Sequence, residues 1–134
     1  MIDCLFVGDS IAVGTHQFRP KCAVYAKSGI NSSQWNKQNA KKNLNAKTVI
    51  ISLGSNDHQG VRTLWELQQL RSRVDAERVF WILPAIKPDI QQMVQLVAND
   101  HGDTVLPIEN LHTDNVHPSW SGYRKLAEQT KYKE

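Results

Sequence analysis

The sequence predicts a doubly wound α/β domain, a parallel sheet with helices on both faces. Three observations predict it. Short apolar runs rich in β-branched and aromatic residues recur along the chain. Stretches with apolar residues at helical spacing lie between them. The two patterns alternate from end to end without a repeat or a low-complexity segment. Continuous apolar runs, rather than strict alternation, mean burial on both sheet faces. Strands separated by helices imply parallel pairing through right-handed crossovers.

The elements follow in order. Residues 3–7 form a short buried strand stopped by Gly8, and residues 22–26 form a second. Asn31 with Gln34 makes a capping box for a polar helix over 32–43. Residues 48–53 are the strongest strand, β-branched and nearly all apolar. Leu64, Leu67, Leu70 and Val74 stripe a helix over 62–75. Residues 78–83 make a fourth strand, ended by Pro84. Pro88 opens a helix with Ile90, Met93, Val94 and Val97 on one face. Residues 104–106 make a short fifth strand. Pro118 opens a last helix with Trp120, Tyr123, Leu126 and Ala127 turned inward.

Composition narrows the function. A chain of 134 residues fits one domain, so residues 1–134 are taken as a single unit. The net charge of +3 permits an anionic partner without demanding one, and nucleic-acid modules concentrate more charge on one face. Lys37, Lys41, Lys42 and Lys47 form the one basic cluster, read as a solvated helix face. No apolar stretch is long enough to span a membrane. The start, Met1-Ile2-Asp3, is too acidic and its apolar run too short for a signal peptide. Two cysteines without a Cys-x-x-Cys exclude a disulfide framework and a zinc ribbon. Cys4 and Cys22 are expected to be reduced, buried apolar residues. No cofactor or metal is expected.

In an open α/β sheet, ligands bind beyond the carboxyl ends of the strands. There the sequence puts Gly8-Asp9-Ser10, Ser28-Gly29-Ile30-Asn31, Gly54-Ser55-Asn56-Asp57 and Asp114-Asn115-Val116-His117-Pro118. These are the parts acyl transfer requires. Ser10, on a tight strand-to-helix turn, is a nucleophile once a base takes its proton. His117 can be that base, and Asp114, three residues earlier, can hold its other nitrogen. The backbone N–H groups of Ser10 and Gly29 and the amide of Asn56 can hold an oxyanion. Each residue also has an ordinary use. Serine caps helices, Gly29 and Asn56 suit turns, and an aspartate can cap a turn while a carbonyl orients the histidine. Their combination favours chemistry. Asp9 and Asp57 are read as rim holders. His16, His58, His101 and His112 are read as surface or loop residues, and Trp65 and Trp81 as packing.

These four blocks resemble those of the SGNH hydrolases, the GDSL esterases and lipases, in order and in placement. The resemblance spans residues 8 to 118. It implies a flavodoxin-like sheet of five parallel strands in the order 2-1-3-4-5. It also implies Ser10 as nucleophile, Gly29 and Asn56 as oxyanion donors, His117 as base and Asp114 as its orienter. Ile11 departs from the leucine of the family's name motif. The chain is also much shorter than typical members, with 18 residues between Ser10 and Gly29.

Loops this short leave no room for a lid or a deep acyl pocket. The expected substrate is therefore a short-chain ester, foremost an O-acetyl group on a saccharide, cleaved through an acyl-enzyme. Trp120, one turn beyond His117, with Asn31 and Trp35, is a candidate for contacting it. Two other functions fit part of the pattern. One is a non-enzymatic carbohydrate-binding or structural module, at a cell surface or in a virion, that retains the fold. The other is a metal-dependent phosphoesterase using His112, Asp114 and His117 with Asp9, Asp57 and His58. The early strand lacks the Asp-x-His pair such enzymes use. Compartment and oligomeric state are not encoded legibly.

Overall fold

A computed structural model describes residues 1–132. The elements run β1 (Ile2–Gly8), α1 (Ser10–His16), β2 (Ala23–Ala26), α2 (Ser32–Gln38), β3 (Leu44–Ser52), α3 (Thr63–Ser72), β4 (Val74–Asp75), β5 (Arg78–Ile82), α4 (Pro88–His101), β6 (Thr104–Leu106) and α5 (Trp120–Gln129). The sheet order is β2-β1-β3-β5-β6, all parallel. Counted without the two-residue β4, this is the expected order 2-1-3-4-5.

Side-chain alternation on the central strands builds two cores. Leu5, Val7, Val49 and Ile51 point to one face, where Trp35, Leu67, Leu70, Val94 and Val97 from α2, α3 and α4 cover them. Cys4, Phe6 and Ile50 point to the other face, against Ile11 of α1 and Leu126 of α5. This two-sided burial is why the strands read as unbroken apolar runs.

Four boundaries differ from expectation by two residues or more. β3 begins at Leu44 rather than 48. Its first four residues alternate buried and exposed, a half-buried extension that a search for continuous apolar runs passes over. The extension gives β4 a partner, through Leu44↔Val74 and Asn45↔Asp75. α3 therefore ends at Ser72, and Val74 joins the sheet. α2 stops at Gln38 instead of 43, where Asn39 donates its side-chain N–H to the Trp35 carbonyl. The Arg73 guanidinium then gathers the carbonyls of Asn39, Ala40 and Lys42. α5 begins at Trp120, capped by Ser119, whose Oγ accepts from the Gly122 N–H. Trp120 is not inward: it is 70% exposed and meets the Phe18 ring edge to face. Trp65 is also exposed, whereas Trp81 is fully buried.

The expectation for the cysteines fails. Cys4 and Cys22 form a disulfide. The cause lies in the register: Leu5 pairs with Ala23, so the residues before them lie side by side. Sequence spacing alone does not reveal this. The bond ties the start of β1 to the approach to β2. Replacing both cysteines by alanine removes a cross-link of 18-residue separation. Urea unfolding should show a loss of about 3 kcal/mol, set by the entropy the cross-link takes from the unfolded chain. An unchanged midpoint would mean that the bond contributes nothing.

Candidate active site

The site begins with a glycine that has no substitute. Gly8 has φ +142°, and a Cβ there would lie 1.9 Å from the Ser52 carbonyl oxygen. That carbonyl accepts the Asp9 N–H at 3.0 Å, while the Gly8 carbonyl accepts the Lys27 N–H. The chain is thus held to both neighbouring strands as it leaves β1. Asp9 then caps α1: its Oδ1 accepts from the Ile11 N–H at 3.0 Å and from Ser52 Oγ. Ser10 follows as the first helical residue, half-buried at the rim.

His117 comes from the long segment between β6 and α5. That segment folds back on itself through a bridge of Leu111 to Pro118 and a bond from the His112 N–H to the His117 carbonyl. Asn115 makes the turn at φ +59°, a conformation asparagine tolerates. Asp114 Oδ1 accepts the N–H groups of Val116 and His117, both at 2.9 Å. Its Oδ2 lies 2.7 Å from His117 Nδ1, and His117 Nε2 lies 2.9 Å from Ser10 Oγ. The two backbone bonds, with the histidine beside them, hold the Asp114 carboxyl well below the usual carboxylate range. An ionised carboxylate only accepts, so Nδ1 carries the hydrogen and Nε2 turns its lone pair toward the hydroxyl. Both side chains are over 40% exposed. Solvent screens the pair, and its effect is orientation rather than stability.

Strand pairing sets the flanks. β1 lies between β2 and β3, with Gly8 opposite both Ala26 and Ser52. Ser10 therefore leaves the sheet between the turn bearing Gly29 and the loop bearing Asn56. Gly29 is exposed, at φ +80°. Asn56 donates one side-chain N–H to the Ile30 carbonyl at 3.1 Å, which fixes the amide and leaves its second N–H unused by that bond. Asp57, buried, accepts from the Ser32 N–H, Ser32 Oγ and Thr63 Oγ1. It locks the loop to the starts of α2 and α3. Lys87, before α4, donates to the carbonyls of Ser55 and Asp57. The contacts of Ser32, Thr63 and Lys87 have no local sequence signal, because each depends on a partner more than five residues away.

Two expected substrate contacts fall away. Trp35 is fully buried and donates its indole N–H to the Tyr25 carbonyl, so it is a core residue. Asn31 is buried, and its Oδ1 and backbone N–H complete the capping box with Gln34. Trp120 stays exposed, three residues beyond His117. His58, His101 and His112 are exposed. His16 is half-buried and bonds the Cys22 carbonyl. Among the described residues, no group of three or more His, Cys, Asp or Glu is placed to hold a metal ion. A cleft of about 470 Å³ borders the Asn56 loop, walled by Asp57, His58, Val61, Lys87, Ile90 and Met93. Ser10 and His117 do not line it.

This architecture is the SGNH hydrolase fold. A GDSL-like lipase, as it is described, of Parabacteroides merdae superposes with a TM-score of 0.69 at 14% identity, over 95% of this chain and 92% of its own. A protein described as an acylhydrolase, from Bacteroides fragilis, gives 0.69 at 16%, over 94% and 83%. The C-terminal catalytic domain of a peptidoglycan O-acetyltransferase of Streptococcus pneumoniae, bearing a methylsulfonyl adduct, gives 0.61 at 16%, over 95% and 89%. No protein-family model and no curated protein matches the chain.

Asp9 has a thermodynamic signature. Burial raises its carboxyl from 3.8 to about 6, against the bonds from Ile11 and Ser52 that lower it. Its Oδ2 has no partner among the described residues. Between these values the folded state binds more protons than the unfolded one, so this group's contribution falls as pH rises. The loss by neutral pH is on the order of 3 kcal/mol. Asp9→Asn keeps the capping oxygen and removes the charge. Its stability relative to wild type should climb between pH 4 and 7 in urea unfolding. A difference independent of pH would show that Asp9 does not titrate there.

Proposed function

We propose that the protein is a serine esterase that removes short acyl groups, foremost O-acetyl groups on a saccharide. The observation that carries this reading is the continuous chain from Ser10 Oγ through the His117 ring to Asp114, on the rim where this fold binds ligands. Ser10 attacks the ester carbonyl while His117 Nε2 takes the hydroxyl proton. The tetrahedral oxyanion is held by the N–H groups of Ser10 and Gly29 and the free N–H of Asn56. As the intermediate collapses, the imidazolium returns its proton to the leaving alcohol and the acyl-enzyme remains. Water then attacks the acyl-enzyme while His117 takes its proton, and as that intermediate collapses His117 returns the proton to Ser10 Oγ and the acid leaves. Asp114 fixes the ring and balances its charge throughout.

The short acyl group is supported by the open setting of Ser10 and His117. The saccharide is supported by the exposed Trp120 ring, three residues beyond His117, since an indole face suits a sugar ring. The neighbour that is a peptidoglycan O-acetyltransferase domain adds to it. A disulfide, which persists in oxidising compartments, suits a substrate met outside the cytosol.

Hydrolysis of p-nitrophenyl acetate, butyrate and octanoate tests the reading. The rate should fall with chain length. Ser10→Ala and His117→Ala should each lose about 10³-fold or more in kcat without unfolding. Asn56→Ala should lose about 10²–10³-fold, the usual effect of one missing oxyanion donor. Equal turnover by wild type and Ser10→Ala would overturn the mechanism, and a preference for octanoate would overturn the short acyl group.

A further inference from the structure

We propose that Lys87 is a positioning residue for the Asn56 oxyanion donor, an assignment that rests on the esterase reading. Its Nζ donates to the Ser55 carbonyl at 3.0 Å and the Asp57 carbonyl at 2.6 Å. These are the carbonyls on either side of Asn56. The Ser55 carbonyl lies in the peptide plane that enters Asn56 and the Asp57 carbonyl in the plane that leaves Asp57, so Lys87 clamps the loop on both sides of Asn56 and with it the direction of the Asn56 side chain. The opposite side of the loop is tied to α2, through Asn56 to the Ile30 carbonyl and Asp57 to Ser32. Without Lys87, the side facing α4 has no such cationic strap.

The backbone at Lys87 points the same way. Its φ is +63°, a conformation uncommon for a residue with a long side chain. It also precedes Pro88, which narrows its choices further. Asn115 is the one other residue besides glycine with positive φ among the described residues, and it turns the loop that carries Asp114 and His117. Glycine would adopt the Lys87 conformation at no steric cost. A lysine kept there gives the loop an ammonium that glycine lacks. Each carbonyl also accepts a charge-assisted bond, shorter and stronger than a neutral one.

The test is steady-state hydrolysis of p-nitrophenyl acetate by wild type, Lys87→Met, Lys87→Gly and Lys87→Arg. Hydrogen exchange at the Asp57 amide, which closes the loop onto the Gly54 carbonyl, is followed in parallel. Lys87→Gly relieves the backbone, so it keeps the test decisive if Lys87→Met fails to fold. In Met and Gly variants kcat should fall about tenfold or more with KM within about twofold, the pattern of an interaction felt in the transition state. Lys87→Arg should recover most of the loss. Asp57 exchange should quicken about tenfold in Lys87→Gly relative to wild type and Lys87→Arg. A kcat for Lys87→Gly within about twofold of wild type, while wild type shows Ser10-dependent turnover, overturns the proposal. If wild type shows no Ser10-dependent turnover, the esterase reading fails instead, and unchanged Asp57 exchange then overturns the strap on its own.

Discussion

The contact between Gly8 and the Ser52 carbonyl is the constraint on which the rim depends. β1 must pass between β2 and β3 and turn at once into α1, without letting either neighbour drift. A side chain at residue 8 would occupy the space of that carbonyl. Its absence lets Asp9 bond back to β3 through its N–H and, by way of Ser52 Oγ, through its carboxyl. Ser10 inherits its place from this crossing. The flanking loops inherit theirs from the same register, since Gly8 sits opposite Ala26 on one side and Ser52 on the other.

Three carboxylates around the rim divide the work according to burial. Asp57 is buried with three donors on its two oxygens, and it holds two helix starts to one loop. Asp9 is equally buried but has donors on one oxygen only, so its charge is costly. Burying an unpaired oxygen is tolerated where the group does something the fold cannot dispense with. Here that is capping a seven-residue helix whose first residue is Ser10. Asp114 is exposed, and its acidity comes from local backbone N–H groups rather than burial. It can stay ionised without taking stability from the core, which suits a residue beside an imidazole that would gain and lose a proton.

The fold was legible because its signals are local. Unbroken apolar runs and helical stripes follow directly from two-sided burial, and the five main strands lie where those runs lie. The arrangement of Ser10, His117 and Asp114 was legible for a related reason: each sits at the end of a strand or in a turn that sequence alone marks. What stayed hidden depends on partners far apart in sequence. The Cys4–Cys22 bond needs the β1–β2 register. The first residues of β3 look polar because one side faces solvent. Trp35 and Trp120 are the same residue type near the same rim. The packing of α2 onto the core, with the Trp35 N–H on the Tyr25 carbonyl, separates a buried indole from an exposed one.

The positions of strain sharpen the account of the rim. A non-glycine residue in the left-handed region costs about 1–3 kcal/mol and persists only where its surroundings over-determine it. Lys87 and Asn115 both border segments that carry site residues. At Asn115 the turn lets Asp114 reach the backbone and the ring of His117 together. At Lys87 the turn brings an ammonium under two carbonyls. Ser10, Asn56 and His117 stand at strand ends and in loops along one rim. The bracing comes from within the loops, through capping carboxylates, a fold-back turn and a cationic strap. An open rim is thereby held in place by bonds within and between its own loops.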